Sequence, residues 1–93
     1  MQTAQAGTME SNDIMITVAP RPLGSGVVVK LDSIVFAQYG EAIRQVITAT
    51  LGRHQVTDIY VNAVDRGALD CTIKARLLTA LVRAGIVLKE VDE

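Results

Sequence analysis

The spacing of hydrophobic residues changes period four times along the 93-residue chain, and this constrains the fold more than any other feature. Ile14, Ile16 and Val18 alternate with Met15 and Thr17, the pattern of a strand with one buried face. Pro20-Arg21-Pro22 ends the run, because proline gives a sheet no donor, and Gly24-Ser25-Gly26 supplies turn residues. Val27, Val29 and Leu31 then repeat the alternation, with Lys30 outward. After Asp32-Ser33 the period becomes 3.6. Val35, Phe36, Tyr39, Ala42, Ile43, Val46, Ile47, Thr50 and Leu51 fall on one side of a helix, opposite Gln38, Glu41, Arg44, Gln45 and Thr48. Thr57 to Val64 return to alternation, Asp65-Arg66-Gly67 reads as a turn, and Ala68 to Ala84 form a second helix closed by Gly85.

The order is β-β-α-β-α, with Ile86 to Val91 as a short C-terminal strand. It predicts an α+β fold: a small antiparallel sheet with two helices on one face. The first two strands, adjacent in sequence, read as an antiparallel hairpin. Met1 to Asn12 are small, polar and without period. They read as a flexible arm (residues 1–12) ahead of a single α+β domain (residues 13–93).

On the second helix Leu69, Ile73, Leu77, Ala80 and Ala84 make one apolar stripe. Cys71, Ala75, Leu78 and Val82 make another beyond a polar strip. Two stripes mean deep burial or contact with a partner; Cys71, Leu78 and Val82 would meet such a partner.

Composition narrows the function classes. Nine basic residues against ten acidic ones give a net charge of −1, which argues against a nucleic-acid footprint. No apolar run approaches the roughly 18 residues of a membrane span, and the N-terminus lacks the basic start and apolar core of a signal peptide. A cytoplasmic chain is expected. One Cys and one His build neither an internal disulfide nor a metal set. His54 reads as a surface or helix-capping residue and Cys71 as a structural thiol. The carboxylates are scattered, and no glycine cluster forms a phosphate-cradling loop. The residues alone propose no reaction.

Serine is the remaining polar reagent, and Ser11, from the residues alone, reads as a solvated serine in a polar loop. Asp32-Ser33-Ile34 at a helix start resembles the Asp-Ser-Leu site of helical acyl carriers. The same residues are common N-caps, and the strands around them do not suit a four-helix carrier. Ser11 lies in the arm, flanked by Thr8, Glu10, Asn12 and Asp13. Those neighbours would keep the junction in water, and Glu10 and Asp13 would solvate the loop or bind a modifying enzyme.

Three blocks carry a family resemblance. Ala6-Gly7-Thr8-Met9-Glu10-Ser11-Asn12-Asp13-Ile14-Met15-Ile16-Thr17-Val18-Ala19-Pro20 resembles the N-terminal motif of the citrate lyase acyl carrier protein (gamma subunit) family. Gln38-Tyr39-Gly40-Glu41-Ala42-Ile43-Arg44 and Asp65-Arg66-Gly67-Ala68-Leu69-Asp70-Cys71-Thr72-Ile73-Lys74-Ala75-Arg76-Leu77 resemble two further family blocks, in the right order. Ile86 to Glu93 do not follow the pattern.

The resemblance implies a non-catalytic carrier subunit of a lyase complex. Ser11 would hold 2'-(5''-phosphoribosyl)-3'-dephospho-CoA through a phosphodiester, placed there by a prosthetic-group transferase. Acetyl and citryl thioesters would be carried between an alpha subunit (acyl transferase) and a beta subunit (citryl lyase), which together cleave citrate to acetate and oxaloacetate. A close 2-hydroxy acid such as citramalate fits the same scheme. The alternative is a small regulatory or adaptor module that binds a metabolite or protein on its open sheet face and has no covalent cofactor.

Overall fold

In the computed structural model, which describes residues 1–33 and 37–88, the strand that organises the sheet comes late in the chain. The strands are β1 (Ala4–Gly7), β2 (Ile14–Pro20), β3 (Val28–Ser33) and β4 (Ile59–Asp65); the helices are α1 (Ala37–Arg53) and α2 (Asp70–Arg83). The spatial order is β1-β2-β4-β3. β2 pairs antiparallel with both β1 and β4, and β3 runs parallel to β4. The α+β class and the β-β-α-β-α order hold, preceded by one more strand.

Three details of the sequence reading change. The sheet is mixed, and β2 and β3 are not a hairpin, because β4 lies between them. β4 buries Ile59, Val61, Ala63 and Asp65 on its core face, and burial on that scale demands a neighbour on each side. β3 only half-buries Val29 and Leu31 and exposes Lys30 and Asp32, the composition of an edge strand. Arg44 of α1 reaches over this edge and donates to the Val29 carbonyl at 2.6 Å. Residues 4–7, read as part of the arm, form β1. Ala6 pairs with Ile16 and is buried.

Both helices cover the face made by Ile14, Ile16, Val18, Val61 and Ala63. Ile43, Ile47 and Leu51 of α1 and Ile73, Leu77, Ala80 and Leu81 of α2 complete the core. These positions follow helical spacing, so each helix turns one stripe inward. Thr50 is buried with them, its hydroxyl donating to the Val46 carbonyl at 2.8 Å. The opposite sheet face, with Met15, Thr17, Tyr60 and Asn62, stays half-exposed.

Each helix ends in the same two-bond cap. After α2, Gly85 at φ +93° donates to Val82 and Ile86 donates to Leu81, as the sequence suggests. After α1, Gln55 takes the left-handed position at φ +55°, and Val56 donates back to Leu51. Ile86 and Leu88 pack against the core without forming a strand; the rest of the expected C-terminal strand, Lys89 to Val91, lies outside the described residues. So do Val35 and Phe36 of the expected helix face. Among the described residues no helix is long and apolar enough to cross a membrane.

Candidate functional site

Ser11 stands at one end of the sheet, on the turn joining β1 to β2. The turn begins at Gly7, whose φ is +99°. A side chain there would overlap the carbonyl oxygen of Ile14, so only glycine lets the chain leave β1 in this direction. Thr8 Oγ1 accepts the Glu10 N–H at 3.2 Å and donates to Asp13 Oδ2 at 2.7 Å. The Asp13 N–H then donates to the Glu10 carbonyl at 3.2 Å, closing a four-residue turn from Glu10 to Asp13. Asn12, in its third position, has φ +65°, the conformation that a type II turn places there and that asparagine tolerates. Ser11 is the second residue, at the tip, and is exposed.

The turn is tied to the fold at two points. The Asn12 N–H donates to the Arg66 carbonyl at 2.7 Å, and the Arg66 N–H donates to the Asp13 carbonyl at 2.9 Å. These bonds carry the β2–β4 ladder one residue past its last rung, up to the neighbour of Ser11. The second tie is the Asp13 side chain. It accepts four hydrogen bonds: from Thr8, from the Ile14 N–H at 2.7 Å, and from Arg76 Nε and Nη2 at 3.0 Å each. Each oxygen takes two donors, the full capacity of a carboxylate. Arg76 foremost, then Thr8 and the Ile14 N–H, lower its pKa from 3.8 to about 2, against the opposing effect of burial.

Asp13 is therefore not part of a solvating flank. It is buried and braces the turn from below, whereas Glu10 stays exposed. Its partner lies 63 residues away in sequence. No local signal announces the pair; an aspartate just before an apolar strand and an arginine on the polar strip of a helix are its only traces.

The loop from β4 to α2 completes this end of the molecule. Asp65, only 1% exposed, accepts from the Ala68 N–H and from Ser33 Oγ, both at 3.0 Å. Ser33 is thus the last residue of β3, and its hydroxyl donates to a buried carboxylate. Ser25 donates its hydroxyl to the Pro22 carbonyl at the other end of the sheet. The chain has three serines. Among the described residues, only Ser11 engages its hydroxyl in no hydrogen bond.

Gly67, at φ +96°, faces Asn12; a Cβ there would stand 3.5 Å from Asn12 Oδ1. Beyond it a cleft of about 160 Å³ opens between the start of α1 and the β4–α2 loop. It is lined by Tyr39, Ala42 and Ile43 on one side and Asp65, Gly67, Ala68 and Asp70 on the other.

The other residues singled out from the sequence lie apart from the turn. His54 follows the C-terminus of α1, at the far end of the sheet, half-buried, with its N–H on the Thr50 carbonyl at 3.3 Å. Cys71 is exposed in the first turn of α2, contrary to a structural thiol. Leu78 is half-buried and Val82 is 57% exposed, so the second stripe of α2 is not core.

The acyl carrier family of the malonate decarboxylase delta subunit (MdcD) matches residues 1–84. The citrate lyase acyl carrier protein of Streptococcus mutans is 52% identical, over 98% of this chain and 92% of its own. That of Latilactobacillus sakei is 51% identical, over 88% and 79%. A chain in the crystal structure of a Pseudomonas malonate decarboxylase hetero-tetramer shares the fold, with a TM-score of 0.74 at 19% identity, over 90% of this chain and 84% of that one. The family model and the curated relatives, each matching most of the chain, show that it belongs to the citrate lyase acyl carrier protein family.

Proposed function

We propose that the chain is the carrier subunit of a citrate lyase, and that Ser11 Oγ is the attachment point of a phosphoribosyl dephospho-CoA group. The observation that carries this reading is the state of Ser11: an exposed hydroxyl without a protein partner, on the tip of a turn held by Thr8, Asp13 and the Arg66 backbone. A hydroxyl that is to become a phosphodiester needs to be reachable, and it need not be activated, because the attaching enzyme brings its own base. No histidine or lysine stands near Ser11 in sequence.

The residues present suit such a group. The donor is a primary alcohol, and the turn beneath it is held by backbone bonds to Arg66 and by the Asp13–Arg76 pair. The group, when bound, supplies a thiol on a long arm that takes up and hands over acyl groups. The chain contributes a fixed root for that arm. Tethering keeps the thiol at a local concentration of order mM for each partner active site. Partners of the kind expected, an acyl-transferring alpha subunit and a cleaving beta subunit, would each meet the end of the sheet that carries Ser11.

The test is the intact mass of the protein from its native host grown on citrate, followed by peptide mapping. The expected result is one adduct of phosphoribosyl dephospho-CoA size on the peptide containing Ser11, absent in Ser11→Ala. A phosphopantetheine-sized adduct on Ser33, or an unmodified protein in a host that holds the attaching enzyme, would overturn it; the second result favours the adaptor module.

A further inference from the structure

The cleft beside the turn has a composition that the attachment chemistry alone does not call for. Tyr39, Ile43 and Ala68 line it together with Gly67, which has no side chain. Its charged side chains are Asp65 and Asp70. Asp65 is buried and already accepts from Ser33 and Ala68, which leaves Asp70, exposed on the first turn of α2. Among the described residues no arginine or lysine lines it, so no side chain there would pair with a phosphate. The cleft would accept a flat ring that stacks on Tyr39 and offers an N–H edge to the Asp70 carboxylate. A volume of about 160 Å³ is well below that of a whole-ligand pocket, several hundred Å³, and suits one ring system.

We infer that this cleft seats the adenine of the group carried on Ser11. The inference rests on the proposed attachment at Ser11 and adds a second point of contact. The connectivity of the group permits it. Counting from the serine oxygen come one phosphate, one ribose, and then the adenosine ribose, which bears the adenine; the pantetheine arm leaves from that same ribose by its other end. Asn12, next to Ser11, faces Gly67 of the cleft floor, so the base need only pass over one residue. The adjoining hollow between α1 and α2 shares Ala42 and Asp70 with the cleft and does carry Arg53 and Lys74. These cations thus lie past the seat and not in it. A seat of one ring binds weakly. At a tethered concentration of order mM it is occupied part of the time, and it shortens the free arm without locking it.

The test uses protein loaded by coexpression with the attaching enzyme, its adduct confirmed by intact mass. Isotope-edited nuclear Overhauser spectra are expected to connect adenine H2 or H8 with the Tyr39 ring and the Ala68 methyl. Amide shifts between loaded and unloaded protein are expected at Gly67, Ala68 and Asp70 as well as along 8–13. Tyr39→Ala, at an exposed side chain, should erase the contacts and leave the adduct mass unchanged, whereas Tyr39→Phe should keep both. Shifts confined to 8–13 on a protein that carries the adduct would overturn the seat while leaving the Ser11 reading intact. If no adduct forms, the Ser11 reading fails and adenosine added to the unloaded protein decides the cleft. Saturable shifts at Gly67, Ala68 and Asp70, weakened about fivefold or more by Tyr39→Ala, support it. Their absence at several mM, on the order of the tethered concentration, overturns it.

Discussion

Arg76, in the second turn of α2, grips Asp13 side-on through two parallel hydrogen bonds of 3.0 Å, so a helix from the far end of the chain holds the residue two places beyond Ser11. Parallel bonds of this kind fix direction as well as distance. The turn is thereby a built part of the fold.

That grip has a pH signature. The Asp13 carboxyl is lowered to about 2 in the folded protein, against an ordinary 3.8. A lowered pKa adds stability when the group is ionised in both states, and the stability is lost as protons bind. Resistance to urea should therefore hold above about pH 4 and fall between about pH 4 and 2. In Asp13→Asn this part of the fall should vanish, because an amide binds no proton in this range. A smaller slope will persist, since Asp58 is lowered in the same direction by the N–H groups of Gly26 and Gly24. Urea midpoints across that range check the sign.

Gly7 admits no substitute. In Gly7→Ala the added methyl meets the backbone of Ile14 in a strand that cannot yield, and φ stays positive. A cost of about 2 kcal/mol or more is expected, a drop in Tm of roughly 8 °C or more for a domain of this size. Thermal unfolding by circular dichroism measures it.

Asn12 tests the turn next to the serine. Asn12→Gly should leave Tm almost unchanged, whereas Asn12→Val should cost about 1–2 kcal/mol for a branched residue in the left-handed region. Attachment at Ser11 should follow the same order, with glycine close to wild type and valine slower. Time-resolved intact mass with the attaching enzyme gives the rates.

Ser33 separates the two serine readings. Ser33→Ala removes one donor from the buried Asp65 and should cost about 1–2 kcal/mol, while the adduct still forms in full. A loss of stability without a loss of attachment is the expected pair of results.

Much of this was legible in the residues. The alternation at Ile14–Val18 and Ile59–Ala63 and the helical stripes through Ile43, Ile47, Ile73 and Leu77 mark real elements, because each has one face in the core. Gly85 marks the end of α2 for a reason that local geometry supplies. What stayed hidden depends on partners far along the chain. Nothing in Ala4–Gly7 shows a strand, since Ala6 gains its place only from Ile16 across the ladder and from α2 above. Nothing in Val28–Ser33 says that its neighbour is β4 and not β2, for alternation names a face and never a neighbour. The site divides in the same way. The family motif points to Ser11, but the brace beneath it joins Asp13 to Arg76, and no local pattern links them.

The place of β4 in the sheet has a consequence for synthesis. β1 and β2 can pair as soon as both have left the ribosome, but the strand that joins β2 to β3 is made last, at residues 59–65, and the arginine that holds Asp13 comes later still. A nascent or truncated chain presents Ser11 on an unbraced hairpin. An enzyme that recognises the braced turn would therefore recognise, in the same act, a chain in which β4 and α2 are already in place.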